Sequence, residues 1–186
     1  MKLRSMTRKP PLGHHDALEL LLRDHQVIKQ LFSDYRRLTR READDGCRAD
    51  VVSQLCFWLS MHVQIEEEIF YPALRGAAGR GAPALPDECD HVAVKELIAK
   101  LDELEPGDPD YDTTIAELSG CVVPHMEAEQ AEIFPRVRMA GLDTAALGRQ
   151  MTQRLKALNE DVTRIGLPNC TPDAATWPAD CRIVMA

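Results

Sequence analysis

The chain has 186 residues, 45% hydrophobic and 28% charged, the balance of an ordinary globular domain large enough for a substantial core. Its formal net charge of −8 argues against a general nucleic-acid binder, which needs a basic surface to meet phosphates. No stretch approaches the ~20 apolar residues that span a bilayer, so no membrane partner is expected.

Residues 1–13 read as a flexible leader closing on Pro10, Pro11 and Gly13. Its basic start (Lys2, Arg4, Arg8, Lys9) has no apolar run behind it, so it is not expected to be a secretory signal, and the cytoplasm is the expected location. A first helix is expected over about 14–42, with Leu18, Leu21, Leu22, His25, Ile28, Phe32 and Tyr35 on one stripe, broken by Asp44, Asp45 and Gly46. A second helix carries Leu55, Leu59, His62, Glu66, Ile69 and Ala73 on one face, and the glycines and prolines of 75–86 read as a loop. The third carries His91, Val94, Ile98 and Leu101 and stops at Pro106 and Gly107. The fourth carries Ile115, Leu118, Val122, His125, Glu129 and Ile133 and ends near Gly141.

These elements predict an all-α chain: an up-down-up-down four-helix bundle over 14–140, an additional C-terminal helix over 141–166, and a loose tail over 167–186. The additional helix has a weaker stripe (Leu147, Met151, Leu155, Leu158, Val162) that would cap the bundle or face a partner. Self-association or a protein partner is expected there and at the tail. The six cysteines form no C-x-x-C pair. Cys47, Cys56, Cys89 and Cys121 are expected to be reduced filler, while Cys170 and Cys181 could pair in the tail.

One two-part pattern occurs twice. The first copy has D-H-x-x-I-K-Q-L around His25, then H-x-x-x-E at His62 and Glu66 with Pro72 beyond. The second has D-H-x-x-V-K-E-L around His91, then H-x-x-x-E at His125 and Glu129 with Pro135 at the same offset. All six residues fall on the apolar stripes, and a histidine and a glutamate four apart project from one helix face. A lone buried carboxylate is costly unless something pairs with it. Imidazole nitrogens and carboxylate oxygens suit iron, manganese or zinc, so the matched sets point to a two-metal site of approximate two-fold symmetry.

The repeat also sorts the neighbours. Glu67 and Glu68 face Gln130 and Ala131 in the second copy, so both are expected to be solvated surface. Glu132 is matched by Ile69 and is left out of the site. Asp24 and Asp90 lie one residue off the ligand face and are expected to be surface or helix-end carboxylates, with a supporting role as the alternative. His14 and His15 fall outside the pattern.

At D-H-Q-V-I-K-Q-L, H-V-Q-I-E-E-E-I-F-Y-P, D-H-V-A-V-K-E-L and H-M-E-A-E-Q-A-E-I-F-P the chain resembles the hemerythrin family, in its H-H-E cation-binding branch, over roughly 14–140. The resemblance implies a four-helix bundle enclosing two iron ions in an oxo- or hydroxo-bridged non-haem centre. It assigns His25 and His62 to one iron, His91 and His125 to the other, and Glu66 and Glu129 to the bridge between them. Oxygen-carrying members have a further histidine four residues after the helix-three ligand, where this chain has Lys95, matched by Lys29 in the first copy. A more open and more symmetric site is therefore expected, suited less to reversible oxygen carriage than to redox chemistry or sensing. Lys29 and Lys95 are expected to cover core with their stems and reach water with their ammonium groups.

The expected function is a diiron protein that binds or reacts with dioxygen, nitric oxide or peroxide, as a sensor, a scavenger or a weak peroxidase-, catalase- or oxidase-type enzyme. The alternative is an iron-responsive or iron-storage module acting through a partner without catalysis. A ferritin-like carboxylate enzyme fits poorly, because two E-x-x-H motifs on paired helices are needed and only Glu88 to His91 has that spacing. The donors alone do not distinguish iron from zinc or manganese.

Overall fold

A computed structural model describes residues 16–78 and 88–164, and the expected leader and tail lie outside them. The described residues are all helical, with no strand among them. Helix α1 spans Ala17–Arg40. Helix α2 runs through Asp45–Ile65, a π turn at Glu66–Phe70 and Tyr71–Ala78, beginning the expected loop later than the sequence suggested. Helix α3 spans Glu88–Asp102. Helix α4 runs through Tyr111–Ala128, a π turn at Glu129–Ile133 and Phe134–Met139, and helix α5 spans Thr144–Arg164.

Helix α1 packs along α2 and α3 along α4, and α5 lies across α1, α2 and the first π turn. The apolar interior falls into two clusters. One holds Ile28, Phe32, Leu55, Leu59, Val94, Leu118 and Val122 from the first four helices. The other holds Leu18, Leu21, Ile65, Phe70 and Phe134 together with Leu147 and Met151 of α5. On α1, His25 lies between Leu21 of the second cluster and Ile28 of the first. The repeated polar residues thus form a layer between two apolar blocks, and α5 closes the block on one side of it. On the α5 stripe, Leu147, Met151 and Leu158 are buried, the first two within the second cluster.

Polar contacts fix α5 at its start and its middle. Asp16 caps α1 by accepting the Leu18 N–H at 2.9 Å, and its other oxygen accepts the hydroxyl of Thr144 at the start of α5. Arg154 reaches both oxygens of Glu68, at 2.6 and 3.0 Å.

The two π turns correct the expected stripe. In each, an N–H donates to the carbonyl five residues back, Tyr71 to Glu66 and Phe134 to Glu129. Both end two residues before a proline, Pro72 or Pro135. Proline brings no N–H, and its ring crowds the carbonyl four residues back, which favours a widened turn ahead of it, although Pro124 is carried inside the regular helix Tyr111–Ala128. The wider turn takes up an extra residue and rotates the helix beyond it. A straight helix would bury Ile69 and Ala73; instead Phe70, Tyr71 and Leu74 are buried and those two are only half-buried.

Two expectations about cysteine resolve differently. Cys56 is buried and free and Cys121 half-buried and free, but Cys47, expected to be reduced, is disulfide-bonded. Single scattered cysteines give no pairing signal in a sequence, so spacing alone does not reveal that bond. Cys170 and Cys181 lie outside the described residues.

Met151 is 0% exposed in the second cluster. Met151→Ala is expected to cost about 2–5 kcal/mol in urea unfolding. A change under about 0.5 kcal/mol, the range of a surface substitution, would mean that α5 does not pack on the bundle.

Candidate metal centre

Each of the four bundle helices delivers histidine to one place. α1 supplies His25, α2 supplies His62 and Glu66, α3 supplies His91, and α4 supplies His125 and Glu129. None of the six is more than 8% exposed. His25 and His62 stand edge to face with ring centroids 4.8 Å apart, and His91 and His125 are 4.9 Å apart. Their Nε2 atoms point inward, those of His91 and His125 lying 3.2 Å from each other.

The carboxylates cross between the pairs. Glu66 Oε2 lies 3.4 Å from His62 Nε2 and 3.4 Å from His91 Nε2. Glu129 Oε2 lies 3.3 Å from His25 Nε2 and 3.7 Å from His125 Nε2. Each glutamate therefore touches one imidazole of either pair. Two donor groups result, His25 with His62, Glu66 and Glu129, and His91 with His125 and Glu66, each with its ligand atoms within 4.8 Å of one another. All six residues singled out by the repeat are brought together.

These donors fit a cation on an observation of their own. His25 Nε2, His62 Nε2, both oxygens of Glu66 and Glu129 Oε2 are buried without a hydrogen-bond partner. Buried polar atoms are nearly always paired, and five convergent exceptions mark a place built for something else to bind.

Electrostatics agree. Burial, and then the charge of Glu129, holds the Glu66 carboxyl well above the usual carboxylate range. Burial opposes the charge on Glu129 too, but His25, His62, His125 and Tyr71 outweigh it and its pKa falls to about 2. Burial first, and then the neighbouring imidazoles, depresses His62 and His91. Neutral imidazoles keep the lone pairs that a metal needs.

Around the six stand residues the sequence undervalued. Asp24 is not surface: it is 2% exposed, with Oδ2 4.0 Å from His62 Nδ1. The side chain of Asp90, its twin, lies outside the described ones. Glu67 is not free in solvent either, because its Oε1 lies 3.3 Å from His91 Nδ1 while both its oxygens hold Lys95. Its counterpart Gln130 sits 2.7 Å from His25 Nδ1. Tyr71 stands out in no sequence pattern, yet its hydroxyl donates to Glu129 Oε1 at 2.5 Å. The available signal is a break in the repeat, Tyr71 before Pro72 against Phe134 before Pro135, where Phe134 stacks on His25 at 5.9 Å instead. The expected symmetry therefore holds for the six donors and fails for their supports. Glu132 is exposed and pairs with Arg136, outside the site as expected.

Burial raises Asp24 to about 7, with Arg23 pulling the other way. Its folded value lies above the unfolded one, so its contribution is complete below roughly pH 3.9 and lost as pH rises through the folded value. The Tm advantage of metal-free Asp24→Asn over the unsubstituted metal-free protein should therefore grow from about pH 5 to about pH 8. A difference that is flat or shrinks over that range would contradict the buried placement of Asp24.

Comparison with known proteins places this constellation. A protein named DNA nickase from Nostoc is 24% identical over 121 residues, covering 64% of this chain and 33% of that protein. The chain thus spans about a third of that relative's length. Uncharacterized proteins of Mycobacterium tuberculosis (Rv2633c) and Mycobacterium bovis (Mb2666c) are each 24% identical over 146 residues, covering 77% of this chain and 87% of theirs. No solved structure matches. The hemerythrin HHE cation binding domain matches residues 16–137, and with histidine–glutamate clusters that fit a metal site the chain belongs to the hemerythrin family as a metal-binding helical domain.

Proposed function

We propose that the six donors hold two iron ions and that the pair binds or reacts with a small ligand: dioxygen, nitric oxide or peroxide. His25 and His62 hold one ion, His91 and His125 the other, and Glu66 and Glu129 are shared. The observation that carries this reading is the crossing of the carboxylates, each within 3.7 Å of an imidazole from either pair. Bound iron supplies one-electron redox chemistry and coordination positions that the protein leaves open. The up-down-up-down course of α1–α4, and the division into bundle and capping helix, belong to the same reading.

The rest is the work of this chain's own residues. The apolar blocks on either side of the polar layer exclude water from it, and Leu147 and Met151 of α5 complete one of them. Gln130 hydrogen-bonds the outer nitrogen of His25 and so orients that ring, while the carboxylates of Asp24 and Glu67 lie 4.0 and 3.3 Å from the outer nitrogens of His62 and His91. Tyr71 keeps a hydroxyl proton on Glu129 Oε1, a donor beside the reacting volume. Lys29 and Lys95 serve the rim, paired with Glu127 at 3.1 Å and Glu67 at 2.6 Å.

One contact favours a second reading, an iron-responsive module. Arg154 of α5 grips Glu68, two residues from Glu66 in the same π turn, so a change at Glu66 has a direct route to α5. Under that reading the metal-free chain loses amide protection first in α5, because binding stabilises only the state that holds the ion.

Metal analysis with an anaerobic visible spectrum, followed by air and then peroxide, tests the first reading. Roughly two irons per chain and absorption bands that respond to oxidant are expected. Glu66→Ala or Glu129→Ala should lower iron content to about one per chain or less, since each removes a donor from both ions. A variant that retains two irons, or a native protein that takes up only zinc, would overturn it.

A further inference from the structure

We propose that Glu67 makes the two iron positions unequal, so that in a one-electron-oxidised pair the ferric ion resides between His91 and His125. This rests on the two-iron reading above. Glu67 and Gln130 are the same position of the repeat, each directly following a shared glutamate inside a π turn. Each reaches the outer nitrogen of an imidazole across the bundle. Glu67 Oε1 lies 3.3 Å from His91 Nδ1, and the Gln130 amide lies 2.7 Å from His25 Nδ1.

With Nε2 committed to a metal, the proton of each ring sits on Nδ1 and must be donated outward. Facing His91 Nδ1 is a carboxylate, that of Glu67, with its Oε1 at 3.3 Å. His25 donates to a neutral amide, which then presents its carbonyl oxygen, an orientation that amide nitrogen and oxygen interchange freely. A carboxylate acceptor makes the imidazole a stronger electron donor, and its negative charge favours the more positive ion nearby. Lys95 holds both oxygens of Glu67, at 2.6 and 2.7 Å, which fixes the carboxylate in place while offsetting part of its charge. Lys29, the counterpart of Lys95, meets no carboxylate at Gln130 and turns to Glu127 instead. The repeat position that follows each donor glutamate is thus ionic beside His91 and neutral beside His25.

The other outer contacts do not set this preference. Asp24 stands 4.0 Å from His62 Nδ1, beyond hydrogen-bond distance and farther than the 3.3 Å between Glu67 and His91 Nδ1. Tyr71 donates to Glu129, which touches one imidazole from each pair, His25 at 3.3 Å and His125 at 3.7 Å. Glu67 lies at the edge of a cavity of about 330 Å³ that it lines with Gln64, Glu68 and Lys95. At 36% side-chain exposure it can be exchanged for glutamine without opening the core.

The test is a mediated redox titration of the iron-loaded full chain with ferricyanide, an outer-sphere oxidant that takes one electron per step while no bond to the protein forms or breaks. Iron is counted first: a native chain without two irons sinks the proposed function, whereas the separation of the two potentials speaks to Glu67. Glu67→Gln removes the ionic support and Gln130→Glu duplicates it, so each should narrow the separation. A tenfold fall in the comproportionation constant, about 59 mV, is the expected size. The double variant E67Q/Q130E rebuilds the asymmetry in mirror image and should restore the separation, which a merely structural role for Glu67 would not do. If E67Q does not load iron, Q130E decides alone, narrowing in support and no change against. Unchanged separation in both single variants, or a double variant narrower than either, would overturn the assignment.

Discussion

Two glutamates and four histidines share one buried layer of a helical core, and most of the architecture answers to that. Alone, such a layer is unfavourable: the carboxylates repel each other, and five of the inward-facing atoms have no hydrogen bond. The metal-free protein manages this by proton distribution, with Glu66 pushed up and Glu129 held down. A cation manages it more completely, because it meets all the inward lone pairs at once. Metal binding would for that reason stabilise the folded state.

The repeat supplies the donors, and the π turns aim the side chains just beyond them. Had α2 run straight through Pro72, the Ile69 and Ala73 side of the helix would have been buried, and Tyr71 would not lie inward against Glu129. The wider turn puts Tyr71 and Phe70 into the core directly beyond Glu66, and its twin does the same with Phe134 beyond Glu129. Each π turn thus begins at a donor glutamate and ends two residues before a proline. Helix α5 then covers this end, tied down by Asp16 and Glu68.

Much of this is legible in the chain. Period and breakers place all five helices within a few residues, and the doubled D-H and H-x-x-x-E pattern leads to the six residues that the fold assembles. The repeat misleads at Glu67, however. Lacking an acidic twin, Glu67 reads as solvated, although a mismatch between copies is also what a purposeful asymmetry looks like. Asp24 reads as surface because its neighbour takes the ligand face, while a helix surrounded on several sides buries more than one face. Tyr71 and the slip of the stripe depend on a π turn, which no simple 3.6-residue period can express. The Cys47 bond is not legible either, because cysteine spacing does not fix connectivity.

Anomalous diffraction at the iron edge, from crystals of the iron-loaded protein, asks the central question directly. Two peaks are predicted, one at His25 and His62 and one at His91 and His125, with Glu66 and Glu129 within coordination distance of both. A single peak among the six residues, or iron bound elsewhere on the chain, would contradict the shared-carboxylate site.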